Sequence, residues 1–252
     1  MSNGNGISDR KLVKELTASP KTRLYLFRGI EPTKQGYILL KVSSRIQRDL
    51  LNKLPDDDIL GLLNPLDPDK ATDIIQILDK HRASKITERL NENIKEKVEF
   101  LLKFNPKAAA GLMHLNYIIV PRDAKLTTVI EEVGEYEKKN SKFPSILVVE
   151  NGKLVGELPG STLVLHKENH VNDKYIKKVP SIRYDSEVDK VINSFVKHPN
   201  NNVVVLDNDE SILGVIHSNE VLRLIDKNVL QDLYGFAGVH KEESALDPAL
   251  MK

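Results

Sequence analysis

Three consecutive carboxylates, Asp56-Asp57-Asp58, and two histidines four residues apart, His166 and His170, are the groupings of side chains in this sequence best placed to hold a cation. Aspartates supply the hard oxygen donors that Mg2+ and Ca2+ prefer. The same run, placed beside Pro55, also suits a helix start, where carboxylates satisfy free N–H groups. The histidines could share a helix face, but a metal site needs a third ligand and an outer shell. Polar loop histidines are therefore expected. The chain has no Cys, which removes disulfides, thiolate metal sites and Cys nucleophiles together and fits a reducing cytosol. No P-loop, dinucleotide fingerprint or supported Ser/His/Asp order appears. Gly152, Gly156 and Gly160 mimic a membrane helix-packing spacing, but they fall in a hairpin. The expectation is a protein that is not an enzyme.

Any such residues need elements to position them. At 252 residues, 40% apolar and 29% charged, the chain has the composition of a soluble globular protein of one or two domains. With no Trp and few aromatics, the core must come from Leu, Ile and Val. No run approaches the roughly 18 apolar residues that span a bilayer, and Met-Ser-Asn-Gly-Asn-Gly does not open a secretory signal. Net charge is +1, but residues 1–53 hold 11 Lys+Arg against 4 Asp+Glu, and the remainder 26 against 32. The basic part could meet anionic lipid or nucleic acid. It lacks the aromatic interleaving of a single-strand binder, so a solvated lead-in and no nucleic-acid partner are expected. Residues 1–20 read as polar and mobile. Residues 21–41 fit two short strands or a broken helix pair equally well.

From Val42 a repeat is visible. Leu54, Leu66, Leu78, Leu90 and Leu102 recur every twelve residues, and Leu50, Leu62, Ile74, Ile86 and Val98 keep the same interval. Twelve residues hold one short helix and a turn, and each unit buries its apolar side only against neighbours. Asp67-Pro68-Asp69 and Asn91-Glu92 supply helix starts. Asn105-Pro106 either ends the array or opens a last helix over 107–113. Residues 42–113 thus read as a short α-solenoid.

The period changes at Asn116. Tyr117–Val120 reads as a strand; Leu126, Val129, Ile130 and Val133 mark an amphipathic helix. Ile146–Val149, the turn Asn151-Gly152 and Leu154–Leu158 make a hairpin. The order recurs: strand 181–184, helix Val188 to Phe195, strand Val203–Leu206, turn Asn208-Asp209, strand Ile212–Ile216. Gly156 and Gly214 occupy equivalent points. Leu222, Ile225, Val229, Leu233 and Phe236 then predict one long amphipathic helix.

The strand-turn-strand over Val204 to Ile216, and more loosely over Leu147 to Leu158, resembles the hallmark of CBS domains. The ordered series is more specific. A Leu-Pro-acid and Leu-Asp-Pro-Asp helical array, Ala109-Ala110-Gly111-Leu112-Met113, the paired repeats, and Leu233-Tyr234-Gly235-Phe236-Ala237-Gly238-Val239 together resemble the cytosolic region of MgtE-type magnesium transporters. The resemblance implies an α+β chain: an uncertain basic segment 1–41, a helical MgtE-N-like domain 42–113, CBS repeats 114–170 and 171–226, and a connecting helix with tail 227–252. It also implies a cytosolic region at the inner face of the membrane, joined to or docked on a transmembrane transport domain carried elsewhere, and a homodimer through the CBS pairs.

The family's role would be to sense Mg2+ and close around it. Carried over by position, the resemblance makes Asp73, Glu220, Asp226 and Asp232 the candidate ligands of a regulatory Mg2+. Arg223, Asn228 and Gln231 stand where the family often has acids, so fewer or weaker sites are expected. CBS pairs that bind adenosine nucleotides use a Ser/Thr and an Asp three residues later. Here those places hold His217 and Glu220 in one copy and Pro159 and Thr162 in the other, so no nucleotide is expected there. The rival readings are a stand-alone CBS nucleotide sensor and a scaffold that docks a membrane or enzyme partner.

Overall fold

The computed structural model describes residues 5–165, 170–171 and 173–221. It falls into two compact units, whose described parts are residues 5–103 and 104–221.

The first unit is helical throughout: α1 (Asn5–Ala18), α2 (Arg23–Arg28), α3 (Pro32–Lys41), α4 (Ser44–Lys53), α5 (Asp56–Leu63), α6 (Pro68–Ile75), α7 (Lys80–Glu88) and α8 (Glu92–Leu101). From α3 onward each helix starts twelve residues after the last, behind cap positions Glu31, Ser43, Pro55, Asp67, Asp79 and Asn91. Leu50, Leu62, Ile74, Ile86 and Val98 all lie wholly inside. The interval also runs backward to Ile38 and Val42, both buried, so the array begins a helix ahead of the leucines that reveal it.

Residues 21–41 are two helices rather than strands. Residues 5–18 form α1, where the sequence reading expects a mobile lead-in. Leu16 and Phe27 explain the difference, because both are buried in the same core as the array, with Leu12 and Val13 packed against it. Burying that stripe outweighs the high charge of the segment.

The run Asp56-Asp57-Asp58 is neither a cap nor a cation site. Pro55 holds the cap position of α5, and no side chain caps it. Asp56 accepts from Arg82 Nε at 2.7 Å and Lys85 Nζ at 2.9 Å. Asp57 accepts from Arg89 at 2.6 Å, and Asp58 from Arg28 at 2.9 Å. Arg82 also donates to the carbonyls of Leu51, at 2.6 Å, and Leu54. One guanidinium thus ties α7 to the turn between α4 and α5, satisfying carbonyls that the end of α4 leaves over. Bonds from Lys85 and then Arg82 hold the Asp56 carboxyl down to about 2. Arg23 makes a similar tie at the N-terminal end. Its buried guanidinium donates to Leu16 O at 2.7 Å and to Asp49 at 2.8 Å.

The second unit holds β1 (Tyr117–Pro121), α9 (Leu126–Asn140), β2 (Ser145–Glu150), β3 (Lys153–Leu158) and α10 (Gly160–Leu165), then β4 (Ser181–Arg183), α11 (Val188–Lys197), β5 (Val203–Leu206) and β6 (Ile212–Ile216). The sheets run β1-β2-β3 and β4-β5-β6, each with a parallel first pair crossed over by a helix and an antiparallel second pair. The register slips at Val148/Val149 in one and Val205/Leu206 in the other, a matching irregularity in both copies. Asn151 and Gly152 both take positive φ, 51° and 78°, as the tight hairpin turn demands. The segment 107–113, one of whose readings was a last helix of the array, makes only a short 3-10 turn, Ala109–Leu112, and belongs to this unit.

The segment leading into each repeat bridges to the sheet of the other. His114, ahead of the first repeat, pairs with Val215 on β6, N–H to O at 2.8 Å and 3.0 Å. Lys177, ahead of the second, pairs with Glu157 on β3, at 2.9 Å each way. The two equivalent glycines mark these crossings. A Cβ on Gly156 would stand 2.4 Å from Lys177 O, and one on Gly214 would stand 2.8 Å from Met113 Sδ. At Gly156 only a residue without a side chain lets the backbones come so close, and at Gly214 the missing side chain makes room for that of Met113. The long helix predicted from Leu222 lies outside the described residues.

Two outcomes are expected. Arg82→Ala should cost the helical unit about 1–3 kcal/mol in urea unfolding, since it strands two carbonyls and leaves Asp56 with Lys85 alone. The contribution of Asp56 is present above the unfolded carboxyl value of 3.8 and is lost as pH falls through about 2. Acid unfolding of Asp56→Asn followed by circular dichroism should accordingly lose part of the wild-type dependence in that window.

Candidate functional site

Asp73 lies exposed on α6, one turn beyond Asp69 and on the same side of the helix. Asp67 and Asp69 flank the start of α6, with Asp69 3.2 Å from Lys70. Tyr37 on α3 registers their field. Its hydroxyl is pushed up first by burial and then by the negative charges of Asp67 and Asp69. Asp69 and Asp73 thus share one side of α6, with Lys70 beside Asp69 and about a turn before Asp73, while Asp67 holds the cap position. The sequence reading singles out Asp73 and treats its two companions only as helix-start residues.

Glu220 is placed differently. It sits in the helical turn 218–221, its side chain only 12% exposed, with Oε1 3.4 Å from His114 Nε2. The His114 ring lies 5.2 Å from that of His217, tilted by 35°. His217 Nδ1 is 2.9 Å from Asn202 Oδ1, while the Asn202 amide nitrogen donates to Glu157 at 2.8 Å and Ser145 at 3.2 Å. Because the Asn202 oxygen can only accept, His217 carries its proton on Nδ1. A chain of polar groups thus joins β2 and β3 of the first repeat to the end of β6 in the second.

Asp73 and Glu220 stand in separate units. Asp226 and Asp232 lie outside the described residues, as do Arg223, Asn228, Gln231 and His166. Among the described residues no three His, Asp or Glu side chains converge as a metal centre. His170 is exposed in the loop after α10, its backbone bridging Lys125.

One cavity was not legible in the sequence. About 660 Å3 opens at the carboxyl ends of the parallel strands β1 and β2, lined by Arg122, Asp123, Glu150, Asn151, His170 and Asp173 among others. Such strand ends are where α/β sheets commonly hold ligands. Here Arg122 spends its fork on Asp173 and on Glu150, the latter at 2.7 Å, and the hydrogen bonds it donates to both raise its pKa. The three residues are too far apart in sequence for any spacing rule to join them. At the two places where nucleotide-binding repeats carry Ser/Thr and Asp, Thr162 is buried, and His217 and Glu220 face Asn202 and His114.

A helical repeat domain followed by a duplicated βαββ module is the class this architecture defines. Residues 11–107 match the MgtE intracellular N domain, and residues 171–227 match the CBS domain. Each family model matches part of the chain, and the chain's fold is similar to that of the cytosolic domain of MgtE. Two solved structures align over most of it. The cytosolic domain of the Mg2+ channel MgtE in complex with ATP superposes with a TM-score of 0.74 at 20% identity, covering 86% of this chain and 90% of that one. The soluble part of a magnesium transporter gives 0.62 at 16% identity, covering 88% and 98%. No curated protein matches the sequence. No described helix is long and apolar enough to cross a membrane.

Asn202→Ala should leave Glu157, Ser145 and His217 short of a partner inside the repeat pair. A loss of about 1–3 kcal/mol is expected in chemical unfolding, with the helical unit unchanged.

Proposed function

We propose that this chain is the Mg2+-sensing regulatory region of an MgtE-like magnesium transporter and performs no catalysis of its own. The observation that carries the reading is the pair Asp69 and Asp73 on one side of α6, on a chain whose fold follows the MgtE cytosolic domain over 86% of its length. Carboxylates brought together across a movable interface repel one another. A hard divalent cation with its waters cancels that repulsion and favours the closed arrangement. Asp73, Glu220, Asp226 and Asp232 remain the proposed ligands, with Asp69 added from its position one turn before Asp73. Glu220 must leave His114 to serve.

The region works at the inner face of the membrane beside a transport domain, and as a dimer of CBS pairs. Support for the dimer comes from apolar side chains left on helix surfaces: Ile130 on α9, Val164 and Leu165 on α10, and Val196 on α11. Leu and Val side chains exposed in this way are stabilised when a second copy covers them. The nucleotide reading keeps one specific support, the ATP bound to the structural neighbour. The inward-facing His217 and Glu220 weigh against it in the second repeat.

Small-angle scattering of the full chain, titrated with Mg2+ at constant ionic strength, tests the reading. A saturable fall in radius of gyration, absent with matched Na+, is expected, and it should weaken several-fold in the Asp73→Ala/Glu220→Ala double variant. No contraction with Mg2+, but thermal stabilisation by ATP, would move the assignment to a nucleotide sensor.

A further inference from the structure

The chain leaves the helical array at Lys103 and does not go straight into the repeat it precedes in sequence. Residues 104–114 first run along the second repeat. The Phe104 ring meets Tyr184 edge-on at 5.9 Å. Ala109 N–H donates to Ser186 O at 2.8 Å and Ala110 N–H to Tyr184 O at 3.0 Å, both alanines being buried. Met113 fills the space over Gly214, and His114 pairs with Val215 through its backbone. Its side chain then reaches Glu220, at the start of the helical turn by which the chain leaves the repeat.

We propose that residues 104–114 are a strap that couples the entry of the second unit to the helical turn 218–221, the exit turn of its second repeat as described, with His114 and Glu220 as the latch. The strap is hydrogen-bonded to the second repeat at Tyr184, Ser186 and Val215. Its last residue, His114, brings Nε2 within 3.4 Å of Glu220 Oε1 in that turn, an ion-pair distance rather than a hydrogen bond. Glu220 therefore has two exclusive uses: held by His114 it keeps the strap and exit turn together, and drawn out by a cation it frees both. What signal is passed rests on the Mg2+ reading; the mechanical coupling does not.

Amide hydrogen exchange on the full chain, read residue by residue without Mg2+, tests the coupling. Glu220→Ala should speed exchange at Ala109 and Ala110 about tenfold, while Val129 and Val133 in α9 keep their rates. His114→Ala should do the same to residues 218–221. Glu220→Gln, which keeps the shape and removes the charge, gives the same reading if the alanine variant folds poorly. Acceleration confined to the turn around residue 220, with Ala109 and Ala110 unmoved, would overturn the strap. A Mg2+ arm separates the two ideas. Coupling between Glu220 and the alanines with no Mg2+ response keeps the strap and removes the sensor. A Mg2+ response that never reaches the alanines does the reverse.

Discussion

Two backbone crossings hold the repeat pair together. At each, the segment entering one repeat lies against a glycine of the other and adds a single bridge to the edge of its sheet. The polar chain from Ser145 through Asn202 to His217 and the meeting of His114 with Glu220 all follow from this exchange. Were the leading segments to pair with their own repeats, His114 would not reach the second repeat's exit. The helical array has a different basis. There a twelve-residue period brings the same two positions of each unit into one core, and ion pairs from Arg82, Arg89 and Arg28 converge on the first turn of α5.

Much of this was legible in the sequence, because periodicity is a local property that folding preserves. The leucine intervals gave the array, and the duplicated strand-helix-hairpin order gave both sheets. The first helices were less so, since the apolar groups around Leu16 and Phe27 are short and set in a basic stretch, and only tertiary burial shows their worth. The three aspartates at 56–58 read as cap or cation site because their partners lie 26 to 32 residues away, beyond any local rule. Likewise the equivalence of Gly156 and Gly214 was plain, but not what each one touches.

The candidate site was less legible than the fold. Asp73 and Glu220 came from family resemblance, and their surroundings differ: an open helix face in one case, a half-enclosed pairing with histidine in the other. A carboxylate already facing an imidazole gives up that contact when it takes a metal, so its apparent affinity carries the cost of release. This argues in the same direction as Arg223, Asn228 and Gln231, toward weak sites. Under the proposed Mg2+ reading, weak binding suits a sensor whose sites must empty as the ion level falls.

The exchanged segments also bear on how such a protein can change over generations. A duplicated module whose copies fold alone can lose one, or let one drift to a new task, without harm to the other. Here the segment entering each copy bridges to its sibling's sheet, so a deletion or a bulky replacement at Gly156 or Gly214 is felt in both. The duplication is locked in: the two halves must be inherited, and must diverge, as one.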